Sequence, residues 1–239
     1  MDGGGQDAQL EVPQLLKQES ADAVVLTPAT PATASVIWLH GLGADGNDFV
    51  PMVPELKLPP SPAVRFIFPH APVRPVTINN GMRMRAWYDI KELSASGAQD
   101  EAGIRDSAAI LAKYIQCERD AGVAANRIVV AGFSQGGVIA LHAALRHPER
   151  LAGVMALSSY LPLRTTLAAE ASKANRDIPI LMCHGSFDPV LPMQLGSSSR
   201  DLLRAEGYTV EWKEYPMQHQ VCLDEIHDIS KFLCRVVLS

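Results

Sequence analysis

The residues best suited to chemistry lie in Gly132-Phe133-Ser134-Gln135-Gly136, a G-x-S-x-G pattern. An apolar run, Arg127-Ile128-Val129-Val130-Ala131, precedes it and reads as a buried strand, and the apolar stretch from Gly137 to Leu145 that follows reads as a helix. Strand, sharp turn and helix is the setting in which a serine is lifted from a sheet edge. The glycines leave room for a strained turn, and the helix directs its positive end at the hydroxyl. A serine so placed attacks an acyl carbon once a base takes its proton.

That base and its orienting carboxylate should follow in the order serine, acid, histidine. His142 lies two turns into the helix after the serine, His147 sits at the exit of that helix before Pro148, and His227 falls inside the last helical pattern. His184 ends a strand but precedes the best acid. His219, in Pro216-Met217-Gln218-His219-Gln220 between the last strand and the last helix, is the expected base. Asp188 is the expected acid: it follows the strand that ends at Cys183, and Pro189 fixes the chain directly after it. Asp201, Asp224 and Asp228 fall on helical faces, and Asp177 precedes its strand and so lies at the opposite edge. The plainer readings are an Asp-Pro turn for Asp188 and an ordinary loop histidine for His219. Donors for a developing oxyanion should be the amide after the serine, on Gln135, and one in His40-Gly41-Leu42-Gly43 after an early strand, assigned to Leu42. A glycine-rich turn without a ligand is the alternative there.

The elements that must hold these groups are legible as alternating strands and helices. Strands are expected at 23–26, 35–40, 64–68, 127–133, 151–157, 180–183 and 210–215. Ile104, Ala108, Leu111 and Ile115 mark one helical face, and Ile226, Ile229, Leu233 and Val236 another. The class is α/β, a mostly parallel sheet covered on both faces. Residues 1–22, Gly-rich and acidic at the start, are expected to be a poorly ordered tail, and 23–239 a single domain. Between Pro69 and Ala86, Pro69, Pro72 and Pro75 argue against regular structure, while Val73, Val76, Ile78 and Met82 are apolar; this suggests a loop rimming the site.

With 239 residues, 47% hydrophobic and a net charge of −5, the chain can bury one substantial core and shows no basic cluster for nucleic acid. The start lacks the basic and apolar segments of a secretory signal, and Asp2 does not suit myristoylation. No apolar run approaches membrane-spanning length. Cys117, Cys183, Cys222 and Cys234 are not spaced as zinc ligands and read as buried free thiols in a reducing compartment. No metal and no cofactor is expected.

Several segments jointly resemble the acyl-protein thioesterase, or phospholipase/carboxylesterase, branch of the α/β-hydrolases. They are His40 to Gly43, Phe68 to Pro72, Arg74 to Asn79, Trp87-Tyr88-Asp89, Gly132 to Gly137, His184-Gly185 with Asp188-Pro189, and His219. The resemblance implies a cytoplasmic serine hydrolase acting on S-acylated proteins, lysophospholipids or small carboxylesters, with the segment from about 69 to 87 as a lid. Two features depart from the family: residues 44–49 look more like its bacterial carboxylesterases, and Tyr160 stands where tryptophan is common. Only about twenty residues separate Ser158 from Pro179, too few for a large cap domain. Expected acyl contacts are Val76, Ile78, Trp87, Tyr160, Val190 and Leu191. Lid residues give a surface for transient membrane contact, and a monomer or weak homodimer is the expected assembly. A short-chain carboxylesterase or lysophospholipase is the near alternative, and a ligand receptor on a hydrolase scaffold the remote one.

Overall fold

A computed structural model describes residues 15–92 and 99–238. Its strands are β1 (Leu15–Glu19), β2 (Ala23–Pro28), β3 (Ala34–Leu39), β4 (Val64–Pro69), β5 (Val73–Val76), β6 (Met82–Arg85), β7 (Ile128–Phe133), β8 (Gly153–Leu157), β9 (Ile180–Gly185) and β10 (Val210–Tyr215). The α-helices are α1 (Glu101–Asp120), α2 (Gln135–Arg146), α3 (Leu167–Glu170), α4 (Met193–Ala205) and α5 (Leu223–Leu238).

Eight strands form one sheet in the order β1-β2-β4-β3-β7-β8-β9-β10. From β4 to β10 every neighbouring pair is parallel, whereas β2 runs antiparallel to β4 and β1 antiparallel to β2. The central strands β3, β8 and β9 are buried along their whole length, because helices cover both faces of a parallel sheet and leave no side for polar alternation. On one face, Ile104, Leu111 and Ile115 of α1, the apolar run of α2 and Leu203 of α4 pack together. On the other, Ile229, Phe232 and Leu233 of α5 meet Trp38, Phe49, Phe66 and Phe68.

Three expectations change. The tail does not extend to residue 22: residues 15–19 pair with β2 from Leu15↔Pro28 to Glu19↔Val24. Four of these five residues are exposed, so the segment carries no burial pattern and is held by its backbone ladder. Residues 1–14 lie outside the described residues. The stretch from 69 to 86 is not irregular, since β5 and β6 form an antiparallel hairpin with Pro75 opposite Arg83. A two-stranded ribbon leaves alternate N–H groups pointing outward, so a proline fits without breaking the ladder. Of the four cysteines only Cys183 is buried; Cys222 and Cys234 are half-buried, and Cys117 is exposed because α1 turns Ile104, Leu111 and Ile115 inward instead; no disulfide links them.

Candidate active site

Parallel strands bring their C-terminal ends to one edge, and the loops after β3, β7, β9 and β10 all emerge there. Ser134 follows β7 with φ 53 and ψ −119, a conformation that non-glycine residues rarely adopt. The surrounding structure holds it: the Ser134 N–H donates to Leu157 O at 2.8 Å, and Ser159 Oγ donates to Ser134 O at 2.9 Å. The flanking glycines are required by space. A Cβ on Gly132 would lie 2.1 Å from the Gly136 carbonyl carbon, and one on Gly136 would lie 2.3 Å from Leu39 O. The turn can be this sharp only because β3, β7 and the first turn of α2 touch backbone to backbone.

His219 Nε2 lies 2.9 Å from Ser134 Oγ, and His219 Nδ1 lies 2.6 Å from Asp188 Oδ2. An ionised carboxylate only accepts, so Nδ1 carries the proton and Nε2 is left to accept from the serine. The other oxygen of Asp188 accepts the N–H groups of Val190 and Leu191 at 2.9 and 2.8 Å, which fixes the carboxylate in a side-chain position with no exposure. The loops bearing acid and histidine are stitched together, Ser186 N–H to Tyr215 O and Phe187 N–H to Met217 O. The Phe133 ring packs against the imidazole at 4.8 Å between centroids. Asp188 is itself a turn residue, so the turn and the carboxylate–histidine contact coexist.

In the loop after β3, the Gly43 N–H is taken by Arg85 O at 2.9 Å and that of Ala44 by Gly41 O at 3.4 Å. Among the described residues, the amide of Leu42 has no such acceptor. Leu42 and Gln135 line the same cavity as Ser134.

One cluster behind this loop was not legible in the motif. The Gln135 side chain accepts the Trp87 N–H at 2.7 Å and donates to Tyr88 O at 2.7 Å. The Trp87 indole donates to His40 O at 2.9 Å, and the Ala71 N–H donates to His40 Nε2 at 3.0 Å. With Nε2 accepting, His40 Nδ1 carries the proton and donates to Gly41 O at 2.7 Å. Burial holds the imidazole neutral, its pKa pulled down to about 4. Both stalks of the β5–β6 hairpin, at Ala71 and Trp87, are thus tied to the residue immediately before Gly41-Leu42.

The cavity at the serine has a volume of about 420 Å³. Of the residues expected to contact an acyl chain, Ile78, Tyr160, Val190 and Leu191 line this cavity. Val76 and Trp87 do not, and both are wholly buried. Trp87 is held in the core by the bonds of its backbone N–H to Gln135 and of its indole N–H to His40 O, while Val76, opposite Met82 at the loop end of the hairpin, is buried and the chain reaches the cavity only two residues later, at Ile78. Lining residues not expected as acyl contacts include Tyr88, Ile90, Phe133, Asn79 and Asp48. Phe133, Tyr88 and Asn79 lie inside segments quoted for the family resemblance and Asp48 in the stretch 44–49, whereas Ile90 belongs to no motif.

The phospholipase/carboxylesterase family pattern matches residues 20–237. A Neurospora crassa protein named acyl-protein thioesterase 1 is 43% identical over 219 residues, spanning 87% of this chain and 89% of that protein. A Yarrowia lipolytica protein of the same name is 41% identical, spanning 87% and 95%. Among solved structures, Zea mays acyl-protein thioesterase 2 superposes with a TM-score of 0.79 at 32% identity, over 90% of this chain and 98% of that one. Arabidopsis thaliana SOBER1 superposes at 0.81 with 28% identity, over 85% and 99%. With a parallel sheet carrying the serine elbow at its carboxyl edge and a family match over nearly its whole length, this chain belongs to the phospholipase/carboxylesterase family of α/β-hydrolases.

Proposed function

We propose that this protein is a serine hydrolase of acyl thioesters and carboxylesters whose main substrates are S-acylated proteins. The observation that carries this reading is the hydrogen-bonded row from Asp188 through His219 to Ser134, opening on a cavity with apolar walls. The relatives named acyl-protein thioesterase support the substrate class.

In the proposed mechanism, His219 Nε2 takes the Ser134 proton as Oγ attacks the acyl carbonyl. Asp188 holds the ring in the tautomer this needs and stabilises the imidazolium. The Leu42 and Gln135 amides receive the oxyanion, and His219 returns its proton to the leaving thiol or alcohol. Water, activated by the same imidazole, then releases the acid from Ser134. Ile78, Val190 and Leu191 shelter the acyl chain, at about 0.8 kcal/mol per buried methylene. The β5–β6 hairpin forms the lid along that cavity. Val73 and Met82 on it, 51% and 64% exposed, give a surface for transient membrane contact. No helix among the described residues is long and apolar enough to cross a membrane; a cytoplasmic monomer or weak homodimer meeting membranes only at their surface fits this role.

The test compares kcat/KM for butyryl, octanoyl and palmitoyl thioesters and a palmitoylated peptide. Sustained turnover of the long chains and the peptide is expected. A steep fall beyond eight carbons would leave a short-chain carboxylesterase instead.

A further inference from the structure

The cavity wall beside Ser134 is apolar at Leu42, Ile78, Ile90, Val190 and Leu191, yet it contains two phenols whose hydroxyls lie 3.1 Å apart, Tyr88 and Tyr160. Tyr88 is 3% exposed. Burial pushes both phenols above the usual range, so each keeps its proton. Two O–H groups therefore face one another, and a single mutual bond uses only one of the two protons. Among the described residues, neither oxygen has another hydrogen-bond partner.

The remaining polar groups of the wall are engaged or lie toward solvent. Both ends of the Gln135 amide are bound to Trp87 and Tyr88, the Asn79 amide nitrogen contacts Met84 Sδ, and Asp48 is exposed. The phenol pair is thus the buried polar point on an otherwise oily surface. A saturated acyl chain pressed against it would exclude water and leave the second proton without an acceptor, which is unfavourable. An oxygen on the chain at that depth would accept it.

We propose that Tyr88 and Tyr160 together select acyl groups carrying an acceptor oxygen along the chain, hydroxy- or oxo-acyl groups, over plain saturated chains of the same length. The proposal rests on the acyl-hydrolase reading above and adds a substrate class to it.

The experiment measures kcat/KM for a dodecanoyl thioester and its mono-hydroxy isomers, the hydroxyl walked from one end of the chain to the other. Wild type, Tyr88→Phe, Tyr160→Phe and the double variant are compared. Within each protein the ratio of hydroxylated to plain substrate is the readout, so any loss of folded enzyme cancels. In wild type, one isomer or two adjacent ones should exceed the plain chain by about tenfold. In the double variant the ratio should fall to about one. No preferred isomer in wild type, or a preference that survives loss of both hydroxyls, overturns the proposal. If wild type turns over all the chains alike, the phenol-pair proposal alone falls; if it turns over none, the acyl-hydrolase reading falls with it.

Discussion

Replacing Gln135 by alanine separates two jobs that meet at one residue. The backbone N–H, proposed as an oxyanion donor, is untouched. The side chain is lost, and with it the 2.7 Å bonds to Trp87 N–H and Tyr88 O. Both backbone groups are buried, and a buried polar group left unmatched costs about 1–3 kcal/mol. Partial relaxation or a water entering the vacated space brings the pair to roughly 3 kcal/mol in total. For a chain of this size, 1 kcal/mol lowers Tm by about 2–4 °C, so Gln135→Ala should melt about 6–12 °C below wild type. Turnover of a short ester should fall by about tenfold or less, against about 10²–10³ for loss of an oxyanion donor. Gln135→Glu should not rescue it: the carboxylate still accepts from Trp87 but sets an oxygen against the Tyr88 carbonyl. Thermal melts and steady-state kinetics on purified protein decide it. An unchanged Tm, or a thousandfold loss of kcat at unchanged Tm, would refute the division of labour.

Asp188→Asn should lower kcat by about 10⁴, because an amide can present its NH₂ to Nδ1 and favour the wrong imidazole tautomer; steady-state kinetics near neutral pH measures it. Gly136→Ala places a Cβ 2.3 Å from Leu39 O, which is backbone and cannot swing away; loss of soluble folded protein or a much lowered Tm is expected, and a wild-type melt would contradict the packing. Stability should also vary with pH. Burial holds His40 and His142 down at about 4 in the folded state, against 6.5. The unfolded chain then binds more protons between these values, and stability falls as pH drops through that window. Burial raises Glu225 to about 8 from 4.5, so the folded state binds more protons there, and stability falls as pH rises from 4.5 toward 8. These three groups place the optimum near pH 6.5, and Glu225→Gln should remove the alkaline limb; denaturant titrations across pH check both.

The sequence by itself determined the main sheet apart from β1, the elbow and the order of acid and histidine. These depend on local facts: unbroken apolar runs mark strands buried on both faces, and glycines at 132 and 136 mark a turn where backbones touch. Asp188 and His219 could be chosen because parallel strands send their following loops to one edge, whatever the finer packing. What needed three dimensions were the long-range contacts that no strand-end rule locates. Strand β1 has no burial pattern and is held by its ladder to β2. The hairpin accepts Pro75 because its ladder is only two strands wide. Val76 and Trp87 share the apolar character of the true cavity residues, and only packing separates wall from core. The Gln135 side chain reaches Trp87 and Tyr88 across 48 and 47 residues, and Tyr88 reaches Tyr160 across 72. No periodicity or spacing encodes such pairs, since each is specified by two surfaces that exist only after the chain has folded.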